Sequence, residues 1–176
     1  MKFVATPLAG VYVIDIEPVA DERGFFARTW CEREFREQGL KSELVQCSIS
    51  FNIRRGTLRG MHYQDKPYEE TKLVRCTRGA IYDVLIDLRQ ESASFMQWVG
   101  TEMSADNRRM LYVPPGVAHG FQTLEDDSEV SYQISEIFHP ESARGVRWDD
   151  PALGITWPQA VSVISERDRC YPDFSR

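Results

Sequence analysis

Residues 72–88 read KLVRCTRGAIYDVLIDL. Two β-branched, apolar stretches, Lys72–Cys76 and Ala80–Leu88, flank Arg78-Gly79, a pair that interrupts the run as a hairpin turn does. The same alternation of strand and turn continues outward. Met110–Val113 runs into Pro114-Pro115-Gly116, a turn. Ala118–Leu124 and Glu129–Ile134 flank the acidic turn Glu125–Ser128, and near the start Gly10–Ile16 (GVYVIDI) alternates apolar and polar residues. Only Cys31–Gly39 (CEREFREQG) has the composition of a helix, with good helix formers and a glycine at its end. From Pro140 onward turn residues mix with tryptophans, and this tail is expected to pack over a sheet as loops and short helical turns. Many short strands separated by Gly/Pro turns indicate an all-β sandwich or barrel. Two glycine-centred turns, each leading to a histidine-bearing strand, suit an antiparallel double-sheet jelly roll, although periodicity alone does not separate it from other β sandwiches.

The chain has 176 residues, a length that suits one domain spanning 1–176 with a single sizeable core. It shows no repeat, low-complexity tract or Ser/Gly linker. No apolar run is long enough to span a bilayer, and the opening MKFVATPLAGVYVIDIEP has no continuous apolar core of the secretory kind, so a cytoplasmic protein without membrane attachment is expected. The net charge is −6, with arginines scattered or paired at Arg54-Arg55 and Arg108-Arg109. A nucleic-acid binder would carry a basic excess. Local arginines in an acidic chain fit a small anionic ligand better, while most of them must be solvated surface residues. Cys31, Cys47, Cys76 and Cys170 include no C-x-x-C pair, which argues against a zinc or redox motif, and Cys76 is expected in the core.

Candidate chemistry concentrates in three stretches. Gly56–Gln64 (GTLRGMHYQ) carries Arg59 and His62. On a regular strand these two point to opposite faces, being an odd number of residues apart, unless the chain bulges at Gly60. The alternative for His62 is a core histidine satisfied by hydrogen bonds. Lys72 opens a half-buried run, where it could stabilise negative charge on a carbonyl oxygen or simply snorkel at a strand end. Tyr132, in Val130–Ile134, is either a core aromatic or a general acid, according to whether its hydroxyl faces the pocket holding His62.

Pro114–Phe121 (PPGVAHGF) has the form P-x-G-x-x-H, with Pro114, Gly116 and His119 in place, and resembles the second motif of cupin barrels. Metal-binding cupins pair that histidine with an H-x-H from the first motif. Here the first motif reads His62-Tyr63-Gln64, and the chain has only three histidines, the third being His139. A metal site is therefore poorly supplied with ligands.

Taken in order, these segments resemble the dTDP-4-dehydrorhamnose 3,5-epimerase family. The resemblance rests on Asp21–Phe26 (DERGFF), Gly56–Gln64, Lys72–Arg75 (KLVR), Asp83-Val84 with Asp87–Arg89, Pro114–Phe121, Tyr132, Trp148–Pro151 (WDDP), Trp157-Pro158 and Ser165–Asp168 (SERD). It covers nearly the whole chain, and it favours a functional His62 over a core histidine. It implies a homodimeric, cupin-like jelly roll that uses neither metal nor redox cofactor on a nucleotide-sugar substrate. By the same resemblance His62 is the catalytic base, Asp168 the carboxylate that orients it, Tyr132 the acid on the other face of the sugar, and Lys72 the group near the 4-keto oxygen. Arg59 and His119 match substrate-pocket residues, and Arg23 a diphosphate contact. Phe26, Gln46 and Ser48 fall within the substrate-binding segments.

The chemistry is self-consistent. A 4-keto group makes the hydrogens on C3 and C5 removable, and the resulting enolate needs positive charge or donors at its oxygen. Inversion takes a proton from one face and returns one to the other, which calls for two groups on opposite sides of the ring. The departures from the family pattern fall mainly where the nucleotide is held. Ser48 replaces the usual Asn and Asn52 the final Ser of one segment, Arg28 replaces a Glu, and Phe138 stands where Tyr is common. The alternatives are a 3,4-ketoisomerase of a similar sugar and a non-catalytic sugar-binding cupin.

Overall fold

The computed structural model describes residues 1–174. Its strands are β1 (Lys2–Ala5), β2 (Tyr12–Asp15), β3 (Val19–Asp21), β4 (Gly24–Phe26), β5 (Gln46–Asn52), β6 (Thr57–Gln64), β7 (Lys72–Arg78), β8 (Ala80–Asp87), β9 (Trp98–Ser104), β10 (Met110–Val113), β11 (Val117–Thr123), β12 (Ser128–Ile134), β13 (Ala143–Gly145) and β14 (Val163–Ile164). Two short helices accompany them, α1 (Glu32–Glu37) and α2 (Glu166–Arg169). One sheet runs β1-β2-β10-β7-β12-β5 and the other β13-β6-β11-β8-β9, with β14 added in parallel beside β6; β3 and β4 form a separate hairpin. All remaining pairings are antiparallel, and the fold is a double-sheet, cupin-like jelly roll.

The 72–88 segment shows why the sheets face each other. After β7 the chain turns at Gly79, whose positive φ a residue with a Cβ rarely adopts, and returns as β8 in the opposite sheet. Alternation then sorts the side chains. Val74 and Cys76 of β7 meet Ile81 and Leu85 of β8, Leu111 and Val113 of β10, Phe121 of β11 and Val130 of β12 in the layer between the sheets. The opposite face of β8, with Val84 and Ile86, is covered by the tail through Val146, Leu153 and Trp157. The outer face of the first sheet, with Ile14, Leu73 and Met110, is covered by Phe35 of α1.

The turn at Arg78-Gly79, the strand Met110–Val113 and the buried Cys76 agree with the sequence reading, but the turn is not a hairpin: β7 and β8 do not pair, because the chain crosses there from one sheet to the other. The helix expected over Cys31–Gly39 is shorter. Cys31 is extended and makes no side-chain cap, Gln38 has left helical geometry, and Gly39, at positive φ, ends the turn. Ser128, read as part of a turn, already pairs with Asn52 as the first residue of β12. Strand β5 (QCSISFN) alternates strictly, but with its apolar residues on the exposed face, whereas β9 carries no strong apolar alternation and tertiary pairing makes it a strand.

Candidate active site

A cavity of about 470 Å³ opens at one end of the sandwich. Its floor and walls are the inward positions of several strands. β5 contributes Gln46, Ser48 and Ser50, whose small or polar side chains leave room where larger ones would fill the layer, while Cys47, Ile49 and Phe51 turn outward. β7 contributes Lys72, β11 contributes His119, and β12 contributes Tyr132 and Ile134.

Strand β6 delivers both Arg59 and His62, which a regular strand would separate. Opposite them on β11, His119 pairs with His62 and Phe121 with Arg59, so three residue steps on β6 match two on β11. The extra residue is a bulge, and it brings both side chains to the cavity. Gly60 makes it possible. Its φ is positive, in the region that favours glycine. A Cβ there would lie 2.5 Å from Gly120 Cα. Arg59 is anchored by its Nε, which donates to Asn52 Oδ1 at 2.7 Å.

His62 is held by the tail. Strand β14 runs beside Thr57 and Leu58, and the one-turn helix α2 follows, capped by Ser165 Oγ, which accepts from Asp168 N. This places Asp168 Oδ1 2.7 Å from His62 Nε2, and Gly60 N donates to Oδ2 at 3.1 Å. Burial alone would raise the Asp168 carboxyl, but the His62, Gly60 and Ser165 hydrogen bonds hold it below the ordinary carboxylate range. An ionised carboxylate only accepts, so Nε2 carries a proton toward Asp168, and in the neutral ring Nδ1 is the nitrogen with the free lone pair. The Tyr171 ring stands edge-on to the imidazole at 6.0 Å.

A second histidine–carboxylate pair lies deeper. His119 Nε2 is 2.7 Å from Oδ2 of Asp83, which is wholly buried on the inner face of β8. Complete burial pushes the Asp83 carboxyl up, against the pull of His119 and Lys72. Tyr132 sits edge-on to His119 at 6.0 Å. Desolvation, reinforced by Asp83 and opposed by Arg59, raises its phenol far above the usual tyrosine value, so it stays a protonated donor. Lys72 Nζ lies 2.9 Å from Glu70 Oε1 and donates to the His62 carbonyl at 3.4 Å. Among the described residues, no group of three or more His, Cys, Asp or Glu is placed to hold a metal ion.

The cavity thus gathers His62, Tyr132, Asp168, Lys72, Arg59, His119, Gln46 and Ser48, and Phe138 also lines it. Arg23 and Phe26 are elsewhere. The Arg23 side chain is 81% exposed and paired with Asp21, and Phe26 is 76% exposed at the end of the β3–β4 hairpin. Nor do the arginine pairs reach the cavity, whose cations are Arg59, Lys72, Arg144 and Arg167. Arg28 instead pairs with Glu34 of α1. The sequence reading did not single out Asp83, Glu70, Arg144 or Arg167 as site residues. Asp83 had a signal: in AIYDVLIDL it shares a face with Ile81 and Leu85, and a charge among core positions requires a partner.

Comparisons with known proteins agree with this architecture. The family model described as dTDP-4-dehydrorhamnose 3,5-epimerase matches residues 5–176. The dTDP-4-dehydrorhamnose 3,5-epimerase of Methanothermobacter thermautotrophicus is 44% identical over 172 residues, 96% of this chain and 91% of that protein. The dTDP-4-dehydrorhamnose 3-epimerase of Streptomyces niveus is 36% identical over 96% of this chain and 82% of its own length. The crystal structure of the 3,5-epimerase from Bacillus anthracis, with TDP and PPi bound, superposes with a TM-score of 0.94 at 38% identity, covering 98% of this chain and 99% of that one. With a family match across the sheet core and the tail that carries Asp168, the chain belongs to the dTDP-4-dehydrorhamnose 3,5-epimerase family and is an isomerase of the epimerase type.

Proposed function

We propose that this single domain inverts C3, C5 or both in a nucleotide-linked 4-keto-6-deoxy sugar, with no cofactor. The observation that carries the reading is that His62 and Tyr132 share one cavity, with Asp168 2.7 Å behind the imidazole. His62 Nδ1 removes the proton alpha to the ketone, and the C–H electron pair moves through the C–C bond to leave negative charge on the 4-oxygen. Lys72 faces that charge, and Asp168 stabilises the imidazolium as it forms. The Tyr132 hydroxyl then returns a proton to the carbon from the other face, and solvent restores both groups.

Arg59, His119, Gln46 and Ser48 hold the substrate, and the arginines at the mouth suit a diphosphate. The TDP in the Bacillus anthracis relative supports a thymidine diphosphate sugar here. Arg23 and Phe26 serve the cavity of a second copy in a homodimer. This assignment is supported by their exposure on a projecting hairpin and by the bare apolar face of edge strand β5, where Ile49 is largely exposed. No described helix is long and apolar enough to cross a membrane. The four free cysteines fit the reducing cytoplasm.

The test is incubation in deuterated water with thymidine-, uridine- and other nucleotide-linked 4-keto-6-deoxy sugars. Deuterium is expected at C3, C5 or both, with inversion. Relocation of the carbonyl to C3 would indicate a ketoisomerase, and exchange at neither carbon on any of these sugars would overturn the proposal.

A further inference from the structure

Lys72 does not stand alone at the cavity wall. Glu70, two residues earlier, lines the same cavity, and the two side chains are only 10% and 11% exposed. Their charged atoms lie 2.9 Å apart, and among the described residues Glu70 is the one carboxylate within ion-pair distance of Lys72. A carboxylate withdrawn from water beside a reacting centre is costly unless it is paired, and so is an ammonium.

The pairing has a geometric consequence. The Glu70 carboxylate sets its charge 2.9 Å from the amine, the main-chain carbonyl of His62 accepts from Nζ at 3.4 Å, and the nitrogen is thereby tied to the backbone of the residue read as the base. Without Glu70, the buried amine would lose its counter-charge, and an unpaired charge withdrawn from water is costly.

We propose that Glu70 is a positioning residue that keeps Lys72 charged and aimed at the oxygen on which enolate charge develops, so that Lys72 acts as a fixed cation rather than a proton donor. The proposal rests on the epimerase reading. Other titratable or charged groups line the same cavity: Arg59, His62 and Tyr63 on β6, His119 on β11, Tyr132 on β12, Arg144 on β13, and Arg167 and Asp168 on α2. Asp83 on β8 lies close enough for its ionisation to feel Lys72. None of these replaces Glu70 as a direct partner.

The experiment is the pH profile of kcat for deuterium exchange in the wild type, Glu70→Gln, Glu70→Asp, Lys72→Met, Lys72→Arg and Glu70→Gln/Lys72→Arg. Glu70→Gln should move the alkaline limb down by about one pH unit, a ~10-fold loss of kcat on that limb, with KM within about twofold. Glu70→Asp should restore most of the loss. In the Lys72→Arg background, where the guanidinium does not titrate, Glu70→Gln should move nothing. Glu70→Ala gives the same readout if Glu70→Gln folds poorly. An unmoved limb, or a shift that persists in Lys72→Arg, overturns the proposal. If Lys72→Met is slow while Glu70→Gln behaves as wild type, only the role of Glu70 falls. If Lys72→Met exchanges as fast as wild type, the role given to Lys72 falls and that of Glu70 with it.

Discussion

His62 and His119 face each other as register partners across the β6–β11 ladder, yet each is bound to a different carboxylate, Asp168 from the C-terminal helix and Asp83 from β8. The two pairs differ in setting. The His62 side chain is 39% exposed and open to the cavity, whereas that of His119 is 5% exposed and its partner is wholly buried. A base that must collect and release a proton each turnover needs the first environment. The second suits a fixed polar wall.

Replacing His62 by Ala should therefore stop exchange while leaving the fold standing, because the ring is half-exposed and its loss opens no core cavity. A fall of at least ~10²–10⁴ in kcat is expected. Asp168→Asn should also lower kcat, since the amide does not stabilise the imidazolium. Proton NMR of exchange, with circular dichroism as the folding control, checks both. A His62→Ala enzyme that turns over normally would contradict the assignment.

Tyr132→Phe should split exchange from inversion. The base can still remove the proton and return deuterium from its own face, whereas net inversion loses its donor. Because burial holds the phenol proton far above the ordinary range, Tyr132 itself should not produce an alkaline limb near neutrality. Product NMR in deuterated water measures both quantities. Equal losses of exchange and inversion would argue against separate roles on the two faces.

Asp87 should govern acid stability. Burial alone would raise its carboxyl, but hydrogen bonds from Arg89, Ser92 and Ser94 outweigh burial and bring it to about 2. A folded value below the unfolded one stabilises the protein above the unfolded value, and this contribution is lost as pH falls through the window from about 4 to about 2. The shift corresponds to roughly 2 kcal/mol. Urea unfolding of wild type and Asp87→Asn across that window should show the two curves converging at the acid end.

Gly60→Ala should be among the most damaging small substitutions. The added carbon would meet Gly120 Cα at 2.5 Å, on a backbone of positive φ. A loss of at least ~2 kcal/mol is expected from strain and overpacking. Where protein survives, activity should fall further than stability, because the bulge is what brings Arg59 and His62 to one cavity. Chemical denaturation alongside the exchange assay would show it.

Ile49→Lys places a charge on the bare outer face of β5. In a homodimer that uses this face the variant should sediment as a monomer, with its own cavity unaltered and turnover reduced because Arg23 and Phe26 no longer reach a partner. Analytical ultracentrifugation of wild type and variant decides it, and a monomeric, fully active wild type would remove the dimer from the proposal.

Much of this protein is legible in one dimension. Strands β7 and β8, the turn between them at Arg78-Gly79, the turn at Pro114–Gly116 and the buried Cys76 follow from local alternation and turn chemistry, which act between near neighbours in the chain, whereas the crossing of β8 into the opposite sheet does not. The direction of Arg59 depended on whether Gly60 bulges, and the sequence supplied the permission but not the outcome. Strand β5 alternates in sequence, but its apolar residues face outward, so a rule that buries the apolar face would have turned Gln46 and Ser48 away from the cavity they line.

Sequence by itself determined which side chains were available: two histidines, a tyrosine and a lysine on strands, and an acidic tail motif. Tertiary structure decided who meets whom. His62 and Asp168 lie 106 residues apart, and Glu70 is withdrawn from water only by the packing of the cavity wall around it. The reason is that proton-transfer geometry and desolvation are properties of the space between elements, set by how the tail docks on β6 and how the two sheets stack, and no single stretch of chain contains that information.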